Sequence, residues 1–250
     1  MSAAMLLKLL ELGEKRCQQW QGKGFGGEKS LIAEVRAATS RLPERDAIVF
    51  DVGANRGDWT RELLSRAGSR IGKVYCFEPS AVHQQELRSI GDDRVVVVAQ
   101  GIADSAGRRT LYAERTGSPM ASLVQRDLAH AKLTFGPVET VDVTTIDRAI
   151  ETFGIEVVHF AKLDIEGLEY MALRGAEQAL EKGRVRALSF EFGGTDIDSR
   201  TYFRDFWQLL TRHGYRIARI NPIGAPRLIK RYGERNEVFT TTNFFAWTEK

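Results

Sequence analysis

Short apolar runs alternate along the chain with longer segments in which apolar residues recur at helical spacing. The short runs predict buried strands, and the longer segments predict helices that lay one face against a sheet. Five runs follow this alternation, at 47–52, 73–78, 94–99, 157–163 and 187–192. Because strands separated by helices pair in parallel, the pattern predicts a doubly wound α/β sheet.

The chain ends with two further apolar runs, at 215–220 and 241–247, and no helical pattern lies between them. Parallel neighbours need a long crossover, so this pair predicts a C-terminal antiparallel hairpin. Alternating segments at 110–113 and 140–143 predict a small antiparallel insertion before the fourth core strand. We therefore expect a mostly parallel, seven-stranded sheet of the Rossmann-like type, with this insertion and a closing hairpin.

Residues 1–46 precede the first strand and predict a helical extension with a glycine-rich loop at 22–27, whereas residues 47–250 form the main domain. The apolar segment 5–12 carries charges and is too short to span a bilayer or to resemble a secretory signal. It predicts an amphipathic helix that packs on the body, on a partner subunit in a homodimer, or on a membrane surface.

The charge balance is nearly even, with 36 Lys and Arg against 33 Asp and Glu, which gives a net charge of +3. The basic residues are spread along the chain, so no nucleic-acid partner is expected. The two cysteines, Cys17 and Cys76, are far apart in sequence. Their separation favours a reduced, cytoplasmic protein over a disulfide-linked one.

The first apolar run leads into a glycine turn, 53–57, that opens a helix. Such turns bring the backbone close to a bound small molecule. The second run delivers Glu78 to its carboxyl end, where a doubly wound sheet places the acid that binds a ribose diol. These two features predict a nucleoside cofactor. The alternative is a plain strand-to-helix turn in which Asp51 only caps the helix.

The spacing of the turn indicates which nucleoside it holds. Dinucleotide turns carry a middle glycine where the backbone closes on a pyrophosphate, but this turn has Asn55 there. Asp51 beside the turn repels a pyrophosphate and attracts an ammonium group. S-adenosylmethionine (SAM) meets these conditions, because it carries an ammonium and a ribose but no phosphate. We therefore expect SAM as the cofactor, with a nicotinamide oxidoreductase as the alternative.

Three motifs occur in this order along the chain: FDVGANRG at 50–57, FEP at 77–79 and KLDIEGLE at 162–169. With the closing segment 242–246, they resemble the FkbM family of methyltransferases. The resemblance implies that residues 47–250 are a SAM-dependent methyltransferase domain. It also implies O-methylation of a hydroxyl on a small molecule or glycan acceptor, namely a sugar, a glycan unit or a secondary metabolite. A non-catalytic SAM-binding protein is the alternative.

Methyl transfer to a hydroxyl needs alignment and a group that accepts the proton. Ligands of open α/β sheets lie beyond the carboxyl ends of the strands, where Asp164 and Glu191 stand at the fourth and fifth strands. We predict that Asp164 is the base. Lys162 lies on the same side of its strand and either pairs with a carboxylate or stabilises the developing alkoxide. The alternative is a buried ion pair with a structural role only.

Asp164, Glu166 and Glu191 also form an oxygen-rich set that predicts a Mg²⁺ site, in which the cation lowers the pKa of the acceptor hydroxyl. Glu166 has an alternative role as a cap of the next helix, since the first turn of a helix favours acids. The residues predicted to bind the cofactor lie at the ends of the first three strands and in the inserted loop: Asp51, Gly53, Ala54, Asn55, Gly57, Glu78, Ile102, Ala103, Asp104 and Ser122.

Overall fold

The computed structural model describes residues 2–249. Residue 1 of the predicted extension and residue 250 of the predicted main domain lie outside the described residues. The strands are β1 (Ala47–Val52), β2 (Ile71–Phe77), β3 (Val95–Val98), β4 (Gly101–Ile102), β5 (Gly107–Ala113), β6 (Gly136–Thr144), β7 (Phe160–Leu163), β8 (Ala187–Phe192), β9 (Arg216–Arg219), β10 (Arg227–Ile229) and β11 (Thr242–Trp247). The helices are α1 (Ala3–Trp20), α2 (Leu31–Thr39), α3 (Asp58–Ala67), α4 (Ala81–Arg88), α5 (Ile146–Thr152), α6 (Glu169–Arg174), α7 (Glu177–Glu181), α8 (Thr195–Ser199) and α9 (Phe203–Arg212).

The main sheet has the strand order β10-β9-β11-β8-β7-β1-β2-β3, and its five strands from β8 to β3 are parallel. β11 runs antiparallel to both β8 and β9, which confirms the closing hairpin. β5 and β6 pair antiparallel in a second, three-stranded sheet, as the insertion pattern predicted. The doubly wound α/β class is confirmed.

The main sheet has eight strands where the sequence predicted seven. The additional strand is β10, which pairs with the outer edge of β9. It is three residues long and follows a turn rich in Gly and Pro. A run this short carries no readable apolar period, so it escaped the sequence analysis.

The segment 168–180, which follows the fourth core strand, predicts a single helix, but the structure divides it into α6 and α7. The division falls at Gly175, whose backbone passes very close to the loop after β4. A Cβ at this position would lie 2.3 Å from the carbonyl oxygen of Ala103. The helix is therefore interrupted by a backbone contact that cannot be predicted from helical periodicity.

Two apolar layers cover the main sheet. One layer packs α2, α3 and α4 on the first face, and the other packs α5, α6, α7 and α9 on the second. The second layer contains a stack of aromatic rings, in which Phe190 and Phe206 lie parallel with centroids 4.6 Å apart. Phe203 and Phe206 of α9 recur at helical spacing, which predicts that they belong to the core, and both are fully buried. These layers hold the strand ends in fixed positions.

Helix α1 buries none of its residues in the described structure. Its large apolar residues are exposed, and Leu7, Leu10 and Trp20 are each more than half exposed. The interpretation that α1 packs on the body is therefore wrong for residues 2–249, and a partner subunit or a membrane surface stays a prediction. No helix in this part of the chain is long and apolar enough to cross a membrane.

Helix α2 belongs to the predicted extension, yet it packs against the main sheet through a buried polar contact. Ser30 Oγ donates a hydrogen bond to the carboxylate of Glu34. Asn243 Nδ2 on β11 donates to Ser30 Oγ at 2.8 Å and also to the Glu34 carboxylate. Burial raises the pKa of Glu34 from an ordinary 4.5 to about 7, although these hydrogen bonds oppose the shift. The contact joins α2 to the last strand.

The titration of Glu34 predicts a pH-dependent stability. The unfolded carboxyl ionises near 4.5 and the folded one near 7, so the folded state binds more protons between these values. The free energy of unfolding should therefore fall as the pH rises from about 4.5 to about 7, and it should level off above 7. Glu34→Gln removes this group. Between pH 5 and pH 8, the free energy of unfolding of the variant should fall by about 2 kcal/mol less than that of the unsubstituted protein. Denaturant unfolding at both pH values measures the difference.

The matched control is Glu44→Gln, which neutralises an exposed carboxylate. It should keep the pH dependence of the unsubstituted protein. Identical pH dependence in both variants would show that the buried Glu34 carboxyl does not titrate in this way.

Candidate functional site

The glycine turn after β1 closes tightly on two neighbouring strands. The backbone N–H groups of Gly53 and Ala54 both donate to the carbonyl oxygen of Phe77, at 3.0 and 3.2 Å. Gly53 has a φ of +78°, and a Cβ there would lie 1.9 Å from the carbonyl oxygen of Asp164. Only glycine satisfies both the backbone conformation and this close approach. The turn thereby brings the ends of β1, β2 and β7 together.

Glu78 follows β2 and its carboxylate is fixed by backbone donors. The N–H of Asn55 donates to Oε2 at 2.9 Å, and the N–H of Ser80 donates to Oε1 at 2.8 Å. Only 6% of Glu78 is exposed, and this burial raises its pKa, while the two N–H bonds oppose the shift. The carboxylate is held in one orientation at the position predicted to contact a ribose.

Asp51 is completely buried beneath the glycine turn. Its Oδ2 accepts a hydrogen bond from Thr60 Oγ1 at 2.6 Å, and its Oδ1 lies 3.5 Å from Lys162 Nζ. Asp51 is absent from the walls of the clefts described below. The structure thus places it as the partner of Lys162, and its predicted contact with an ammonium group stays a prediction.

Lys162 on β7 lies between two carboxylates. Its Nζ is 3.2 Å from Asp164 Oδ2, in addition to the contact with Asp51. Burial disfavours the Lys162 cation, but the charges of Asp164, Asp51 and Glu34 outweigh this effect and raise its pKa. The side chain therefore keeps its proton at neutral pH. It can stabilise negative charge, but it cannot accept a proton.

Two clefts open above the strand ends. The first runs from Glu78 and Ile102 to the inserted loop and has about 640 Å³ of empty space, part of which is open solvent. The second is lined in part by Glu34, Trp59 and Lys162 and has about 820 Å³ of empty space, which likewise includes open solvent. The clefts share a group of wall residues: Gly53, Asn55, Pro119, Asp164 and Glu166.

The structure brings most of the predicted site residues to these clefts and leaves some outside. Those that line the first cleft are Gly53, Asn55, Glu78, Ile102, Ser122, Asp164 and Glu166. Ala54 and Lys162 line the second cleft only. The predicted residues outside both walls are Asp51, Gly57, Ala103, Asp104 and Glu191. Asp104 instead pairs with Arg109 at 3.4 Å.

Glu166 connects the inserted loop to the site. Its Oε2 accepts from Arg126 Nη1 at 2.9 Å, and its carbonyl oxygen accepts from Ser122 Oγ at 2.8 Å. Burial and the charge of Asp164 raise the pKa of Glu166 to about 7, against the opposing charge of Arg126. The capping role considered for Glu166 is not found, since α6 has no side-chain cap hydrogen bond. Glu169, in the first turn of α6, accepts the N–H groups of residues 165 and 167 in the loop before the helix.

The predicted Mg²⁺ site is not supported. Within residues 2–249, no three acidic, His or Cys side chains are arranged to hold a metal ion. Of the three predicted ligands, Glu166 pairs with Arg126 and Asp164 pairs with Lys162. Glu191 lies among the carboxylates, since burial and then the charges of Asp164 and Glu166 raise its pKa. Asp164 and Glu166 are thus balanced by cationic side chains, whereas no ion pair of Glu191 occurs within the described residues.

Three residues of the site are not among those predicted from the sequence. Glu34 reaches the second cleft from α2, and its only signal is an acid on an otherwise apolar helix face. Arg126 lies in an irregular loop that carries no signal. His83 has no partner evident from the sequence pattern, which predicts a surface position, but it is 6% exposed and lines the first cleft. Its Nδ1 lies 2.9 Å from Glu86 Oε2, an i, i+3 pairing that the sequence does contain.

Comparison with solved structures finds the same fold in other proteins. The chain aligns with Methyltransferase FkbM from Methylobacillus flagellatus KT at 18% identity and a TM-score of 0.51, over 81% of this chain and 44% of that one. It thus spans less than half the length of that protein, and the similarity shows a shared fold. No curated protein sequence matches the chain.

Two other solved structures align at lower scores. An rRNA methylase from Streptococcus thermophilus shares 12% identity with a TM-score of 0.46, over 90% of this chain and 99% of that one. Aeropyrum pernix fibrillarin, in complex with natively bound S-adenosyl-L-methionine, shares 13% identity with a TM-score of 0.44, over 86% and 76%.

A family profile described as the Methyltransferase FkbM domain matches residues 51–217, which is more than half of the chain. The matched region contains the glycine turn, Glu78 and the Asp164 motif, whose geometry builds both clefts. It confirms the resemblance drawn from those motifs, and the chain belongs to the FkbM family of methyltransferases.

Proposed function

We propose that the protein is a SAM-dependent O-methyltransferase that acts on a hydroxyl of a sugar, a glycan unit or a secondary metabolite. The observation that carries this proposal is the charge of the first cleft. Its walls, within the described residues, contain the carboxylates of Glu78, Asp164 and Glu166 and no Lys or Arg. Such a cleft favours a ligand with positive charge and disfavours a pyrophosphate.

The polar and apolar groups that line the first cleft fit SAM. Glu78 can accept hydrogen bonds from both ribose hydroxyls, because each of its oxygens uses only one lone pair on the backbone. Ile102 offers an apolar surface for the adenine ring. SAM, when bound, supplies a methyl group on a positively charged sulfur.

The second cleft is the proposed place for the acceptor. Asp164 lies in the walls of both clefts, which is where an acceptor hydroxyl would meet the methyl group. Its carboxylate would accept the proton of the hydroxyl while the oxygen–carbon bond forms and the sulfur–carbon bond breaks, which leaves S-adenosylhomocysteine as the thioether product. Lys162, at 3.2 Å, holds Asp164 in place and stabilises negative charge on the attacking oxygen. Proton acceptance and charge stabilisation are thus assigned to different side chains.

The alternative functions fit this geometry less well. A nicotinamide oxidoreductase needs a site for a pyrophosphate, and the turn presents Asn55 and a carboxylate instead. A non-catalytic SAM-binding protein needs no carboxylate between the two clefts. A nucleic-acid methyltransferase is disfavoured because residues 164–167 read DIEG, without the Pro-Pro-aromatic turn typical of base methylation.

The cofactor assignment predicts that Glu78→Gln weakens the binding of S-adenosylhomocysteine. The substitution removes charge-assisted hydrogen bonds to the ribose, so affinity should fall roughly 10- to 100-fold. Calorimetric titration measures the change. Glu151→Gln, an exposed substitution on α5, should bind as the unsubstituted protein does. Unchanged affinity in Glu78→Gln, or stabilisation of the protein by NAD, would contradict the assignment.

The mechanism predicts that Asp164→Asn binds S-adenosylhomocysteine but transfers methyl groups slowly. Loss of a general base should reduce turnover by roughly 10²- to 10⁴-fold. Transfer from labelled SAM should be followed on acceptors found by screening sugar nucleotides and glycan intermediates, with and without Mg²⁺. Asp93→Asn, which alters an exposed carboxylate, is the control. Turnover of Asp164→Asn at the unsubstituted rate would rule out this base.

A further inference from the structure

A group of basic residues lies at the outer edge of the main sheet, away from the carboxylates of the clefts. Arg219 ends β9 and Arg227 begins β10, and the two residues face each other across this antiparallel pair. Lys23 reaches them from the glycine-rich loop, and Arg235 comes from the segment before β11. We call these four residues the basic cluster.

Arg219 is buried without a counter-charge. Only 5% of the residue is exposed, and its Nε has no hydrogen-bond partner. One Nη contacts the carbonyl oxygen of Gln21 at the long distance of 3.5 Å, and the guanidinium lies 5.7 Å from the ring centre of Phe244. Burial, followed by the charge of Arg227, lowers its pKa. A buried guanidinium with an unused donor is costly unless an anion completes it.

The other members of the basic cluster increase the positive charge. None of the four forms an ion pair within residues 2–249. Burial and then Arg219, Arg235 and Arg227 lower the pKa of Lys23. Like charges directly opposite on paired strands destabilise a sheet. The fold therefore accepts a repulsion here that a bound anion would remove.

The basic cluster lies at the same ends of the strands as the two clefts, because Arg219 is close to the end of the sheet at which β8 finishes. The glycine-rich loop is fixed there by the N–H of Gly24, which donates to Thr242 Oγ1 at 3.0 Å. The strand order from β9 to β7 is β9-β11-β8-β7, which is three interstrand spacings or roughly 14 Å. A molecule that spans this distance can place one end at Asp164 and the other at Arg219.

We propose that the basic cluster binds the phosphoryl group of the acceptor while the acceptor hydroxyl lies at Asp164. This inference rests on the proposed methyl transfer to a hydroxyl. Guanidinium groups match phosphoryl oxygens in pairs, and the exposed Arg227 and Arg235 offer such groups near Arg219. The residues come from three separate segments around one buried arginine, an arrangement that suits a single phosphate or diphosphate better than an extended nucleic-acid backbone.

The test compares two double variants that remove equal charge. Arg227→Gln with Arg235→Gln removes the two exposed members of the basic cluster and leaves buried Arg219 in place. Arg45→Gln with Lys182→Gln removes two exposed charges elsewhere and is the control. Binding of UDP-glucose, glucose 1-phosphate, glucose and inorganic phosphate is titrated at constant ionic strength. S-adenosylhomocysteine binding is measured in the same samples.

The phosphorylated sugars should bind the unsubstituted protein and the control equally, and the cluster variant roughly tenfold or more weakly. Glucose should bind without discriminating the variants. Equal binding of phosphorylated sugars to both double variants overturns the proposal. So does inorganic phosphate that binds as tightly as the phosphorylated sugars, or a single-stranded oligonucleotide that binds more tightly than either. Failure of S-adenosylhomocysteine to bind any sample would instead overturn the proposed function.

Discussion

The ion pairs of Lys162 are the interaction on which the geometry of the site depends. Lys162 is in register with Asp51 across the β1–β7 pair, and its ammonium group contacts both Asp51 and Asp164. Lys162 and Asp51 are buried, and each charge would be costly alone, whereas the side chain of Asp164 is 40% exposed. The ion pairs compensate the two buried charges. The ion pairs fix the end of β7 against the glycine turn, so that the carboxylate between the two clefts has a defined position.

Charge is distributed unevenly along the edge of the sheet that carries the clefts. Carboxylates gather at β2, β7 and β8, and several have raised pKa values because burial and mutual repulsion disfavour their ionised forms. Basic residues gather beyond β11, at β9 and β10. This separation favours a cationic cofactor on one side and an anionic group on the other. The inserted loop joins the acidic side through Arg126 and Glu166.

The fold was largely predictable because its pattern is local. β1 and β8 begin and end at the predicted residues, since long buried strands between turn residues carry a strong apolar signal. Two features escaped prediction. The strand β10 is too short to show a period, and Gly175 divides a helix because of a contact with a distant loop. In both cases the deciding partner lies far away in sequence.

The sequence by itself determined the order of strands and helices, the family, and the carboxylates after β2 and β7, because these depend on residue type and spacing within short segments. Tertiary structure alone decided the pairing of charges. It buried Asp51 as the partner of Lys162, and it brought Glu34 and Arg126 to the site from α2 and from an irregular loop. Burial and electrostatic pairing arise from segments distant in sequence, and packing fixes which of them meet.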